Sequence, residues 1–167
     1  MPSFLRSLSF VKGPTRILAK TVSNKIRAGT AVWEMSALEP CHVIWVILDE
    51  EELRPALVEL AAQSFIRGKR VILCGTTHES GWAAELIDAG AFVATLNPVD
   101  PQGRLLVGEG DRLAFRELRR LASAEGRKLI RLRAGFKGLY LAGIHSATHL
   151  LLPCAAAAVE SFRAAGI

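Results

Sequence analysis

Hydrophobic residues follow two alternating patterns along the chain, and together these predict strands that alternate with helices. Runs of consecutive apolar, β-branched residues predict buried strands, whereas apolar residues spaced three or four apart predict helices with one buried face. The run HVIWVIL at 42–48 is apolar throughout, as expected of a central strand covered on both faces. Strands are predicted at 8–11, 42–48, 70–73, 91–96, 105–107 and 128–132, with 30–35 as a further short candidate.

Helical spacing separates these strands. Helices are predicted at about 17–29, 49–65, 81–89, 111–124 and 136–165. Asp49 is expected to cap the second helix, with Pro55 in its first turn. Any bend in the last helix is expected at Pro153. Because parallel strands need crossovers, which are usually helical, the order predicts an α/β fold with an open, mostly parallel sheet and a long C-terminal helix. The predicted division is a sheet domain at 1–134 and a helical segment at 135–167.

Composition narrows the class of protein. The chain has 167 residues, of which 50% are hydrophobic, so it can form the core of one compact domain and is unlike a disordered chain. Three cysteines are too few for a disulfide scaffold and fit a reducing compartment, so a cytoplasmic location is expected. No run reaches about 18 uninterrupted apolar residues, so no membrane association is expected.

Charge is unevenly distributed although the net charge is only +5. Residues 1–33 carry six basic side chains and no acidic one, and residues 112–137 carry nine basic and two acidic side chains. Solvated helix faces account for such blocks in most proteins, and phosphate binding is the functional alternative. Nucleic-acid binding is not expected, because no recognition motif is present and aromatic residues make up only 7% of the chain.

Ligands of open α/β sheets bind beside the carboxyl ends of the strands, which directs attention to the loops at 13–15, 49–52, 75–80 and 97–100. Gly13 joins a strand to a helix, where backbone N–H groups and the helix dipole could hold a phosphate. Arg16 could add donors, and Glu34 lies at about the spacing expected of a ribose-binding acid. However, Thr15 and Leu18 stand where a dinucleotide fingerprint needs glycines.

Other polar residues admit both a functional and a structural interpretation. Cys74 and His78 could form a thiol and a base, or be a small buried residue and an unrelated loop histidine. His145 and His149 share a helix face and could bind a metal, although core or interface positions are commoner. Lys137 and Tyr140 begin the last helix near the mouth of any cleft. Either could serve as an acid or a substrate anchor, or simply lie at a surface or interface.

The order of these segments resembles a family of bacterial Rossmann-like proteins related to pyrroline-5-carboxylate reductase and the 6-phosphogluconate dehydrogenase superfamily. The resemblance covers about three-quarters of the chain, in the family's order. The N-terminal SLSFVKGPTRIL is similar to the family's first strand and glycine-rich turn. The matching segments are VIWVILDEEEL, VILCGTT, AAELIDAGAFVATLNPVD, LLVGEGDRLAFRELRRLASAEGRKLIRL and KGLYLAGIHSATHLLLPCAAAAVESFRAAGI.

This resemblance implies an NAD(P)-binding domain, with NADP as the candidate cofactor, followed by a helical dimerisation segment. Gly13 matches the first fingerprint glycine, Asp49 the end of the strand on the nicotinamide side, and Gly75 a Ser-Gly turn. Lys137 and Tyr140 match the start of the dimerisation helix. The candidate residues are Gly13, Thr15, Arg16, Asp49 and Gly75 for the cofactor, and Lys137, Tyr140 and His149 for catalysis. No metal site is expected.

The chain also departs from the family pattern. Only twelve residues separate Gly29 from His42, so one strand–helix unit is expected to be missing, and a single helix follows the sheet domain. The segment 30–35 could correspond to either the second or the third ancestral strand. The substituted positions are Thr15 and Leu18 for glycines, Cys74 for serine, Asn97 and Leu141 for histidines, and His149 for asparagine.

Two functional hypotheses follow. The favoured one is a degenerate oxidoreductase-like domain, with reduced or lost dinucleotide binding and catalysis, that acts as a dimeric structural or regulatory module. The alternative is an active NADP-dependent oxidoreductase on a small-molecule substrate. The last helix is apolar around much of its circumference, so a homodimer through this helix is predicted.

Overall fold

The architecture was derived from a computed structural model that describes residues 7–10, 31–32, 35–100 and 102–166, with side chains from residue 35 onward. Gly13, Thr15, Arg16 and Glu34 lie outside the described residues, so their predicted roles stay predictions.

A mixed sheet forms the centre of the fold. Its seven described strands lie in the order β2-β1-β3-β4-β5-β6-β7, and every neighbouring pair is parallel except β5 and β6, which are antiparallel. The α/β fold with a mostly parallel sheet is therefore confirmed. The strands are β1 (Ser7–Phe10), β2 (Ala31–Val32), β3 (Val43–Val46), β4 (Arg70–Cys74), β5 (Phe92–Pro98), β6 (Leu105–Gly110) and β7 (Lys128–Arg131).

The short strand β2 has a defined position in the order of the sheet, although which ancestral strand it represents stays open. Dinucleotide-binding sheets have the order 3-2-1-4-5-6, in which the second strand lies beside the first and the chain then crosses to the fourth position. Here β2 pairs with β1 on one side, and β3 pairs with β1 on the other. The short strand thus takes the second position, and no strand of the described part of the chain lies beyond it.

Helices follow the strands much as the spacing predicts. A 3₁₀ turn at Met35–Leu38 precedes β3, and another at Ser80–Trp82 precedes the short second helix. Arg54, near the middle of α1, donates to the carbonyl oxygen of Trp82 at 3.0 Å and so joins α1 to the segment that leads into the second helix. The helices are α1 (Glu50–Ala61), α2 (Ala84–Asp88), α3 (Arg112–Ala124) and α4 (Lys137–Ala164).

Local details differ from the sequence prediction. Asp49 occupies the cap position of α1, but its side chain makes no capping hydrogen bond. Pro55 lies in the second turn of α1 rather than the first. A π-helical segment occupies Ser146–Leu151, just before Pro153. Since proline has no N–H to donate to the carbonyl four residues earlier, the irregularity in α4 lies immediately upstream of the predicted bend.

Two apolar layers hold the sheet between helices. Alternate residues of a strand point to opposite faces, so Ile44 and Val46 of β3 pack with α1, while Val43 and Trp45 pack with α3. These four side chains are at most 7% exposed. Burial on both faces explains why VIWVIL at 43–48 carries no polar position, whereas His42 before it is exposed.

Helix α4 extends from this body with almost no cover. Its most apolar 18-residue window has a mean hydropathy of 1.3 and none of it is buried, so by length and composition alone α4 could cross a membrane. The expectation of no membrane association therefore stays a prediction. Large apolar side chains on α4 are 42–69% exposed, namely Leu139, Ile144, Leu150, Leu151, Leu152, Val159 and Phe162.

Candidate functional site

Three loops meet at the carboxyl ends of β3, β4 and β5. Asp49 and Glu50 follow β3, the segment 75–79 follows β4, and Asn97 lies near the end of β5. The chain crosses from β2 past β1 to β3, so this edge also contains the point where the strand order reverses. In open α/β sheets that point is the usual position of a bound nucleotide.

Gly75 provides the turn that leaves β4. Its φ angle of +78° lies in the left-handed region, and its N–H donates to the carbonyl oxygen of Leu96 at 2.9 Å. A Cβ atom at Gly75 would meet nothing within 4 Å, so backbone conformation rather than space requires glycine here. The predicted glycine turn is therefore present, with open volume above it.

Glu50 organises the loop that follows Gly75. Its Oε1 atom accepts hydrogen bonds from the Thr77 N–H at 2.6 Å, the Thr77 hydroxyl at 2.9 Å and the Thr76 hydroxyl at 3.1 Å. Its Oε2 atom lies 2.8 Å from Nε2 of His78. Partial burial raises the pKa of Glu50, but these hydrogen bonds and the nearby His78 together hold it below its ordinary value.

His78 is held on its other side by an aromatic stack. Its ring lies 3.9 Å from the Trp82 ring, with an angle of 7° between the planes. The Arg54 guanidinium lies 5.0 Å from the centre of the Trp82 ring and pairs with Glu85. His78 is thus fixed between a carboxylate and an indole and has little freedom to swing toward a substrate.

Lys137, the first residue of α4, points inward. It is only 1% exposed, and its Nζ atom donates to the carbonyl oxygens of Thr76 at 2.6 Å and His78 at 2.8 Å. Burial lowers the pKa of Lys137 to about 8, while the negative charges of Glu109 and Glu50 act in the opposite direction. The ammonium group therefore fastens α4 to the loop after β4.

Glu109 is a fully buried carboxylate on β6. Its Oε1 atom accepts from the Ser80 N–H at 2.6 Å and the Thr95 hydroxyl at 3.0 Å, and its Oε2 atom accepts from the Ser80 hydroxyl at 2.7 Å. Three hydrogen bonds and the charge of Lys137 compensate for its loss of water. Sequence reasoning missed this residue, because Gly108, Glu109 and Gly110 resemble a turn that ends a strand.

Two further polar groups lie at this edge, a thiol and a side-chain amide. The Cys74 thiol is buried, which raises its pKa to about 12 although the charge of Lys137 opposes the shift, so it carries no thiolate near neutral pH. Asn97 donates from Nδ2 to the Thr76 carbonyl oxygen at 3.0 Å. Its Oδ1 atom is buried and accepts no hydrogen bond from the described residues.

The remaining predicted site residues lie in different surroundings. Asp49 is exposed at the carboxyl edge, and Tyr140 is half-buried on α4. His149 is exposed, and its ring lies 4.5 Å from that of His145 rather than beside Lys137. Within the described ranges no three His, Cys, Asp or Glu residues gather as metal ligands would. The catalytic and cofactor roles of these residues stay predictions.

Comparison with solved structures identifies the fold. An imine reductase from Aspergillus terreus in complex with NADPH4 aligns over 99% of this chain and 69% of its own length, with a TM-score of 0.68 and 14% identity. The pyrroline carboxylate reductase of Plasmodium falciparum with NADP bound aligns over 95% of this chain and 66% of its own length, with a TM-score of 0.64 and 10% identity. The fold is Rossmann-like.

A third similar structure is an imine reductase variant from Myxococcus stipitatus in complex with NAD+ (TM-score 0.66, 13% identity), of which this chain covers 60%. No family model matches the sequence, and no curated protein sequence does either. The resemblance stated from the sequence is thus confirmed at the level of fold. Because fold alone does not establish function, the chemistry must be argued from the site.

The lowered pKa of Lys137 predicts an unusual pH dependence of stability. Between about pH 8 and pH 10.5 the unfolded chain keeps a proton that the folded protein has released, so the free energy of unfolding rises with pH across this window. The rise attributable to Lys137 is about 3 kcal/mol at most. Above about pH 9 the Cys74 thiol, whose pKa burial raises to about 12, lowers the free energy of unfolding with pH and opposes this rise. Chemical denaturation between pH 8 and pH 9 should therefore show the rise in the wild type and in Lys128→Met. Lys137→Met should lack it, and an unchanged slope in that variant would contradict the assignment.

Proposed function

We propose that this chain is an NAD(P)-binding Rossmann-type module that holds a dinucleotide at the carboxyl ends of β1, β3 and β4 without turning it over. The observation that carries the proposal is Asn97, whose buried Oδ1 atom receives no hydrogen bond from the described residues at the edge where nucleotides bind. A carboxamide N–H group, such as that of a nicotinamide, has the chemistry to satisfy it. The residues present therefore fit a dinucleotide.

Other residues of the edge suit binding as well. Gly75 leaves open volume above its turn, and the exposed Asp49 ends the strand next to β1. Glu34 follows β2 by two residues in the sequence, and β2 holds the second-strand position, after which a ribose-binding acid is expected. Gly13, Thr15 and Arg16 are proposed to contact the pyrophosphate.

We infer the absence of turnover from the contacts that two candidate proton donors make. A bound NADPH supplies a hydride, and reduction of a substrate then needs a proton donor within hydrogen-bond reach. Lys137 is bound to two carbonyl oxygens, and His78 is fixed between Glu50 and Trp82. Each group thus stabilises the loop after β4 instead of facing an open cleft.

An active oxidoreductase is the second candidate, and one observation favours it. The pKa of Lys137, at about 8, lies close to neutral pH, which is the range in which a general acid works best. If the loop after β4 moved aside on substrate binding, Lys137 would become the proton donor.

A turnover assay separates the two candidates. Purified protein is mixed with NADPH and a panel of cyclic imines, and separately with ketones plus an amine, and NADPH oxidation is followed. We expect no rate above that of the protein-free mixture. Oxidation that requires substrate, disappears in Lys137→Met and persists in Lys128→Met would instead establish the oxidoreductase.

The partner of α4 is proposed to be a second copy of the chain. Leu139, Leu151 and Phe162 are each 58–69% exposed, and an isolated soluble domain seldom leaves so much apolar surface in water. Pairing two α4 helices covers these side chains in a symmetric interface. The dimer provides the structural or regulatory role in the favoured hypothesis.

Light scattering on the eluted protein tests the dimer. The wild type should have twice the mass of one chain, and the double substitution Leu151→Glu with Phe162→Glu should give monomers, because charge enters the apolar contact. Ala156→Glu, on the face of α4 that already carries Glu160, should leave the dimer intact. A monomeric wild type, or wild-type protein that partitions into lipid vesicles, would contradict the proposal.

A further inference from the structure

A cavity of about 370 Å³ lies between α3 and β7, away from the carboxyl edge of β3, β4 and β5. Its lining contains four arginines, Arg112, Arg116, Arg119 and Arg131, together with Leu113 and Phe115. The volume is in the range of small-molecule sites. Four arginines around one cavity of this size are an unusual concentration of basic residues.

Local geometry explains how the arginines gather. Arg112, Arg116 and Arg119 follow one another at helical spacings of four and three, so they share one face of α3. Arg131 is the last residue of β7, the edge strand that α3 joins to β6. Strands β6 and β7 run parallel to each other and opposite to β5, so their carboxyl ends face the other edge of the sheet from Asn97.

The four guanidinium groups have no carboxylate partner among the described residues, whereas the nearby acidic side chains do have partners. Glu117 pairs with Arg70 and Arg120, and Glu125 pairs with Arg127. The remaining acid, Asp111, caps α3 by accepting from the Leu113 N–H at 2.6 Å. Within the described part of the chain, the four arginines of the cavity therefore form no ion pair.

Two of the four arginines also pack on the ring of Phe115. The guanidinium carbon of Arg131 lies 4.8 Å from the centre of the Phe115 ring, and that of Arg119 lies 5.5 Å from it. This cation–π contact orients the two side chains, and both keep their positive charge. Because Phe115 is 2% exposed beneath them, it offers no surface on which a base could stack.

We propose that this cavity, which we term the arginine pocket, binds a small ligand through an oligophosphate group. Guanidinium groups match phosphate oxygens in bidentate geometry, and several at once suit a ligand with more than one phosphoryl group. The arginine pocket is separate from the edge at which the dinucleotide is proposed to bind, so the two sites bind different ligands.

Calorimetric titration with inorganic tripolyphosphate tests the proposal on the full chain. The wild type should bind one equivalent, with an affinity that falls as salt is raised. The double variant Arg112→Ala with Arg116→Ala should bind about a hundredfold more weakly, because each arginine that no longer donates to a phosphate costs about tenfold in affinity. Arg120→Ala, a matched control on α3 whose side chain pairs with Glu117 outside the pocket, should bind as the wild type does.

Further results also bear on the proposal. ATP and tripolyphosphate should bind equally, because recognition rests on the phosphates. No binding of tripolyphosphate, or equal weakening in Arg120→Ala, would overturn it, as would a short DNA duplex that binds without competition from millimolar tripolyphosphate. NADPH binding should be unchanged in the double variant, and its loss there would mean that the two sites are one.

Discussion

Replacing Glu109 with alanine is expected to lower the free energy of unfolding by about 3–5 kcal/mol, because each buried donor that loses its acceptor costs about 1–3 kcal/mol. The substitution leaves the Ser80 N–H and two hydroxyls without their acceptor in the core, and it removes the negative charge that most favours the protonated form of Lys137. Since a domain of this size has about 5–15 kcal/mol in total, the variant should lose a large fraction of its stability.

Glu109→Gln is the matched control for this effect. Glutamine keeps the shape and one acceptor oxygen but removes the charge, so the decrease in stability should be smaller, about 1–3 kcal/mol. Urea denaturation of wild type and both variants measures the three values. A decrease below about 1 kcal/mol for Glu109→Ala would show that the carboxylate does not hold the loop after β4 in place.

Gly110→Ala is expected to cost about 3 kcal/mol or more, because two separate penalties add at this position. Gly110 has a φ angle of +129°, which side-chain-bearing residues rarely adopt. A Cβ atom there would also overlap the Val93 carbonyl oxygen and come within 2.5 Å of Cα of Ala94 on β5. The backbone of a central strand is tightly packed, so moving it aside would cost further free energy.

Gly143→Ala serves as the comparison for the glycine prediction. Gly143 lies within α4, and a Cβ atom there would meet nothing within 4 Å. Alanine at this helical position should stabilise the protein by about 0.5–1 kcal/mol. Thermal unfolding of both variants checks the contrast, and a Gly110→Ala protein as stable as the wild type would contradict the described pairing of β5 with β6.

The strands at the centre of the fold were predictable because each is buried on both faces. Burial leaves a continuous apolar run, and such runs mark β3, β4 and β5 with small errors at their ends. Strand β6 is longer than predicted, since its last three residues are glycine, glutamate and glycine. They remain in the strand because β5 approaches closely and because Ser80 and Thr95, distant in sequence, supply donors to Glu109.

The site was predictable in its location but not in its internal hydrogen bonds. The rule that ligands lie at carboxyl ends of strands pointed to Asp49, Gly75 and Asn97. The burial of Lys137 depends on the carbonyls of Thr76 and His78, about sixty residues earlier in the chain, and no local pattern encodes that contact. Likewise, the sequence shows a basic block, but only the packing of α3 beside β7 gathers four of its arginines around one cavity.

The measurement that tests the central claim most directly is calorimetric titration of the wild-type chain with NADPH and with NADH. We expect saturable binding of one dinucleotide per chain, with a dissociation constant in the high-micromolar range. Gly75→Val should abolish it, because valine strains the left-handed turn and fills the open volume above β4. Asp88→Asn, exposed at the opposite edge of the sheet, should leave it unchanged. The absence of any binding of either dinucleotide at millimolar concentration would contradict the proposal that this Rossmann-like domain still holds its nucleotide.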